Sequence, residues 1–179
     1  MHINTRKMAV SGLLMAFAVV LIILSGILDF NTLFFLAAAA FLIGVIVREF
    51  DLRYGLAFFL GCLILGGLLA PQKLYCITYA MMGSYVLGVE FLWHFLGDHP
   101  GWKNRRLLLI LGKLIIFNLM YLPALFLFPK LLFAGEISGI LLLVFVVGGQ
   151  VALFLFDQAY DYFLIRLWEQ VREKLFGRR

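Results

Sequence analysis

Charge is scarce in this sequence. Only 14% of its 179 residues are Asp, Glu, Lys or Arg, while 64% are hydrophobic and the mean hydropathy is +1.04. A soluble domain of this length carries roughly 25% charged residues. The deficit excludes a soluble globular protein and points to an integral membrane protein. Cysteine is almost missing too: Cys62 and Cys76 fall in or beside apolar runs, with no CxxC or Cys/His spacing. They read as small hydrophobic filler, not as a redox or metal centre. The histidines, His2, His94 and His99, have no ligand spacing with cysteine or acids, so no metal site is expected. Phosphate-binding G-x-x-x-x-G-K-[ST], zinc-protease H-E-x-x-H and nucleophile-elbow G-x-S-x-G patterns are all absent. The chain therefore reads as a non-enzyme that needs no cofactor. With no internal repeat or low-complexity linker, it also reads as one domain over residues 1–179.

Long apolar runs take up most of the sequence. Six spans are expected, at about Met8–Leu28, Phe30–Val47, Tyr54–Ala70, Leu74–Leu96, Leu107–Phe128 and Ile137–Asp157. Their lengths suit helices that cross ~30 Å of hydrocarbon at 1.5 Å per residue. The alternation over ~10 residues that marks barrel strands is missing. The fold class is thus an all-α integral membrane protein, six transmembrane helices in one bundle. The first run follows Arg6 and Lys7 and has no A-x-A site, so it reads as a retained helix and not as a removable leader.

The basic residues alternate between the two ends of these spans. One end collects Arg6 and Lys7, then Arg48 and Arg53, then Lys103, Arg105 and Arg106, and finally Arg166, Arg172, Lys174, Arg178 and Arg179. The other end has Lys73 and Lys130. By the positive-inside rule both termini are cytoplasmic and the "LLAPQKLY" turn faces outward, in a bacterial plasma membrane. This topology accounts for the net charge of +5, so no nucleic-acid partner is expected. Residues 158–179 extend the last span as an amphipathic tail, with Tyr160, Phe163, Leu164, Leu167, Trp168 and Val171 broadly on one side. Either anionic membrane lipid or a protein partner fits that tail.

Polar residues inside spans are the informative ones, since each needs a partner in hydrocarbon. Glu90 and Lys113 lie at comparable depth in spans four and five, and an ion pair between them is expected. Lys113 also has the reach to snorkel back to the interface. Asn118 and Gln150 lie near mid-span. They either hydrogen-bond each other across spans five and six or line the floor of an outward cavity. Above them come Tyr121, Tyr79, Tyr75, Lys73, Gln72 and the Asp29–Thr32 turn with Asn31. Tyr75 and Tyr79 are four apart and share a helix face. The tyrosines form an interfacial aromatic belt or, with the nearby donors, a concave small-molecule site. Pro123 and Pro129 are expected to distort and end span five near the same surface.

Small residues make a last pattern. Gly12 and Ala16, with Ala9 nearby, are a small-xxx-small pair on span one. Ala37–Ala40 and Gly44 lie on span two, and Gly61, Gly66 and Gly67 on span three. Such residues let helices approach closely, either within the protein or against a partner.

The opening "RKMAVSGLLMAFAVVL", the length, the six spans and the orientation resemble the substrate-binding S components of energy-coupling factor (ECF) vitamin transporters. The resemblance extends loosely over most of the chain. It implies a six-helix bundle with a vitamin or metal site near the outer face. It also implies a first-helix surface that contacts a transmembrane T component, itself joined to two cytosolic ATPases. The family's A-x-x-x-A pattern reads Gly12-Leu-Leu-Met-Ala16 here. Capture outside, followed by reorientation powered elsewhere, is the implied mechanism. A competing class is a structural or assembly membrane protein, since the rod-shape protein MreD resembles S components in architecture. An auxiliary subunit working through its tail is a third reading.

Overall fold

The computed structural model describes residues 5–28, 31–98, 104–127 and 139–176. Asp29 of the expected outer turn, Lys130, Pro129, His2 and His99 lie outside the described residues. Every regular element among those described is helical: α1 (Thr5–Ser25), α2 (Thr32–Glu49), α3 (Leu52–Leu69), α4 (Lys73–Asp98), α5 (Arg105–Leu127) and α6 (Gly139–Tyr162). A π-helical turn, Phe163–Trp168, and a short α7, Glu169–Phe176, continue α6. Six helices are long and apolar enough to cross a membrane, the architecture of a multi-pass membrane protein. They overlap the six spans expected from hydropathy.

The chain divides into two compact units, Met1–Gly97 and Asp98–Arg179. The first holds α1 to α4. Its core runs along α2, which is buried continuously from Ala39 to Val47. Glycines set how closely the other helices approach. A Cβ on Gly55 would lie 2.1 Å from Val47 Cγ2, one on Gly61 2.9 Å from Met15 Cε, and one on Gly83 2.5 Å from Phe59 Cε2. Gly55, Gly61 and, against Ile22, Gly66 of α3 are thus occupied by internal packing, whereas a Cβ on Gly67 would meet nothing within 4 Å.

Short connections close this unit. Asp51 caps α3, its Oδ1 accepting the Leu52 amide at 2.7 Å, as an N-cap acid does. At the other end α3 stops at Leu69, and the Lys73 ammonium donates to the carbonyls of Gly67, Leu68 and Ala70. Carbonyls at a helix C-terminus lack helical partners and carry the negative end of the dipole, so a cation there is favourable. A Cβ on Gly26 would lie 3.0 Å from Pro71 Cγ. The α1–α2 and α3–α4 turns therefore meet at one end of the unit.

The second unit is an antiparallel hairpin of α5 and α6 joined at three levels. Lys113 meets Asp157, Asn118 meets Gln150, and Tyr121 meets Phe145. Pro123 removes one helical hydrogen bond, yet α5 runs on to Leu127. From the end of α6 into the π-helical turn, Tyr160, Leu164 and Trp168 are buried at four-residue steps. Steps of four drift around a helix of 3.6 residues per turn. The wider π-helical turn takes up that drift and keeps the three side chains on one line.

Candidate functional site

In the first unit the expected site residues sit at the end where the two turns meet. Asn31 precedes α2 and is exposed; its carbonyl accepts the Phe35 amide at 3.1 Å, and its side chain makes no capping bond. Gln72 is exposed and its carbonyl accepts the Tyr75 amide at 3.3 Å. Lys73 is exposed as well, but its ammonium is committed to the α3 carbonyls.

Tyr75 is half-buried, whereas Tyr79, one turn further along α4, is wholly buried. The Tyr79 ring lies 5.9 Å from that of Phe59. Its hydroxyl makes no hydrogen bond among the described residues, and the polar group beside it is the Cys62 thiol, a weak acceptor. A belt tyrosine keeps its hydroxyl in the wet interface, so Tyr79 does not serve as one. An unsatisfied buried hydroxyl costs about 1–3 kcal/mol, and the Cys62 thiol beside Tyr79 offsets that only weakly. Hydropathy alone assigned Cys62 to filler and gave no sign of this pairing.

The second unit uses its candidate polar groups internally. Gln150 Nε2 donates to Asn118 Oδ1 at 2.8 Å, Asn118 Nδ2 faces Gln150 Oε1 at 3.4 Å, and the same nitrogen donates to the Leu114 carbonyl at 2.9 Å. Of the two roles open for this pair, the hydrogen bond between helices is the one present. Tyr121 donates to the Phe145 carbonyl at 2.8 Å and stacks on Phe117 with ring centroids 5.0 Å apart. Its ring fills the notch at Gly149, where a Cβ would come within 2.5 Å of it. Replacing Asn118 and Gln150 together by leucine is expected to lower stability by only about 0.6 kcal/mol. Each single replacement strands one amide and costs more. A double-mutant cycle of melting temperatures in detergent measures the difference.

For Glu90 and Lys113, expected to pair with each other, the structure gives each a partner within its own unit. Glu90, 2% exposed, is held by Arg48, whose Nε and Nη2 lie 3.0 and 2.9 Å from Glu90 Oε1. Lys113 lies 2.8 Å from Asp157 and 3.7 Å from Asp161. Arg48 and Asp157 stand at span ends, where only Arg48 entered the topology count, yet each side chain reaches back to a neighbouring helix. Pairing in low dielectric is worth more to a buried carboxylate than solvation is to an Arg that is one-third exposed.

On the end of unit one where α1 begins, a groove of about 180 Å³ opens between α1, α2 and α3. Ser11, Gly12 and Met15 line it from α1, Ile46 and Phe50 from α2 and its end, and Tyr54, Ala57 and Phe58 from α3. A Cβ on Gly12 would meet nothing within 4 Å, and Ala9 and Ala16 are exposed. Internal packing therefore does not explain why these three α1 positions are small, in contrast to Gly55, Gly61 and Gly83. No group of three or more His, Cys, Asp or Glu suited to a metal occurs among the described residues. The chain matches no protein-family model, and no curated protein or solved structure matches it.

Proposed function

We propose that this protein is the membrane-embedded, substrate-binding subunit of an ECF-type transporter, taking a small vitamin-like molecule at the outer face of a bacterial plasma membrane. In this reading both termini are cytoplasmic, which the distribution of Arg and Lys over the span ends supports. A T component docks on α1 through Ala9, Gly12 and Ala16, and two cytosolic ATPases power the cycle. The observation that carries the reading is the exposed small-residue strip of α1 beside an open groove. Small residues without an internal neighbour are what a second transmembrane helix needs for close approach. The ligand would lie at the end where the α1–α2 and α3–α4 turns meet. Asn31, Gln72 and Tyr75 would be its first contacts, and the Tyr79 hydroxyl beside Cys62 a deeper donor.

A scaffold or assembly role, MreD-like, is the second reading, and specific contacts favour it. Lys73 caps α3, Asn118 and Gln150 satisfy each other, and Tyr121 fills the Gly149 notch, so four expected ligand groups already have structural work. Co-expression with ECF modules of the source organism separates the two. Co-purification of a T component with ATPases supports the transporter. Their absence, together with no small molecule raising the melting temperature, supports the scaffold.

A further inference from the structure

We infer that Tyr162, Ile165 and Arg166 form an interfacial anchor that takes the phosphate of anionic lipid headgroups in the leaflet from which α6 emerges. The apolar stretch of the last span begins at Leu142, and about 20 residues at 1.5 Å each cross ~30 Å of hydrocarbon. The helix runs on past that depth through the π-helical turn into α7, so Tyr162 falls near the boundary between acyl chains and headgroups. Tyrosine is suited to that depth, with an apolar body and a polar tip.

Three features of the turn that follows point outward to lipid. The Arg166 guanidinium lies 6.0 Å over the Tyr162 ring, a cation–π contact that fixes the head while leaving its N–H donors open. No acid among the described residues pairs with Arg166; the neighbouring Glu169 is engaged by Arg172 at 3.0 Å. A planar, pre-positioned guanidinium matches phosphate geometry. Ile165, between the two, is 68% exposed and adds an apolar foot directed away from the buried Tyr160, Leu164 and Trp168 line. From Gln158 to Arg179 five basic residues face three acidic ones (Asp161, Glu169 and Glu173), an excess that complements an anionic surface. The occupant is committed to the bilayer because chain length sets the depth and the charge excess sets the lipid class.

The test is hydrogen exchange on the full chain in nanodiscs of phosphatidylcholine alone and of phosphatidylcholine mixed with phosphatidylglycerol. Amides of residues 162–172 are expected to exchange more slowly in the anionic discs, by roughly fivefold for each basic side chain engaged. The difference is expected to vanish near 0.5 M salt, where screening shortens to a few Å, and to shrink in Arg166→Gln. Unchanged exchange around Gln150 in that variant shows that the hairpin remains folded. Tyr162→Ala is expected to weaken the effect by releasing the guanidinium. Equal exchange in the two discs overturns the proposal and leaves this face to a protein partner. Protection that survives Arg166→Gln in full overturns the role of the anchor.

Discussion

Gly83→Val is expected to lower the melting temperature of the detergent-solubilised protein by several degrees. A Cβ at this position of α4 would lie 2.5 and 2.7 Å from the Phe59 ring and 2.9 Å from Ile43 Cδ1. Those neighbours have little freedom. Phe59 is buried and already packs against the Tyr79 ring, and Ile43 is wholly buried. Overpacking of this kind costs typically about 1–3 kcal/mol, and each kcal/mol is worth about 2–4 °C for a chain of this size. Gly12→Ala is the matched control, because a Cβ there meets nothing within 4 Å. It is expected to leave the melting temperature unchanged or slightly raised, since alanine favours helix over glycine. Equal losses for the two variants would mean that α4 does not approach α2 and α3 at Gly83.

Arg48→Ala is expected to cost more. Glu90 is 2% exposed, and without Arg48 its carboxylate loses the guanidinium that compensates its burial. Breaking a buried pair from one side costs about 3–5 kcal/mol. Arg48 is itself 37% exposed, so water entering from its side brings the loss toward about 3 kcal/mol. Removing both charges is expected to recover most of this. Arg48→Ala with Glu90→Leu replaces a buried charge with an apolar side chain of similar length, and such replacements are often neutral or better. Thermal melts of the two single variants and the double variant close the cycle. A double variant no more stable than Arg48→Ala alone would remove the ion pair from the account.

Much of the architecture was legible because the bilayer imposes one dominant rule. A run of about 20 apolar residues needs a helix, so six spans and their approximate ends followed from hydropathy. The Asn118–Gln150 contact was legible only as one of two readings, beside a cavity floor. Two isolated amides at matching depth on consecutive antiparallel helices have few other partners. Glu90 and Lys113 show where depth alone runs out. Both found partners at span ends: Arg48, which the positive-inside count had already used, and Asp157, to which it assigned nothing. Helix rotation decides such a choice, and the weak amphipathicity of a lipid-exposed helix leaves rotation unwritten.

Tyr75 and Tyr79 make the same point. Their four-residue spacing placed them on one face of α4, but burial separates them, leaving one half-buried and the other enclosed beside Cys62. The tail was legible as amphipathic, yet its six apolar residues divide. Tyr160, Leu164 and Trp168 are buried while Leu167 and Val171 are exposed. The π-helical turn that produces this division has no motif of its own. On α1, the pattern of Ala9, Gly12 and Ala16 was visible in the sequence, but whether it served internal packing or a partner was not. The empty space around Gly12 is the structural contribution there.

The central claim is that this α1 surface is a docking face for a transporter module, and co-purification measures it most directly. Tagged wild-type protein, co-expressed with a T component and its ATPases, is expected to bring both down in fixed proportion. Gly12→Leu, which fills the open space beside the groove without touching the core, is expected to abolish that complex while leaving the melting temperature near that of the wild type. A wild-type protein that captures neither subunit, or a Gly12→Leu variant that captures them as well as the wild type does, would contradict the account.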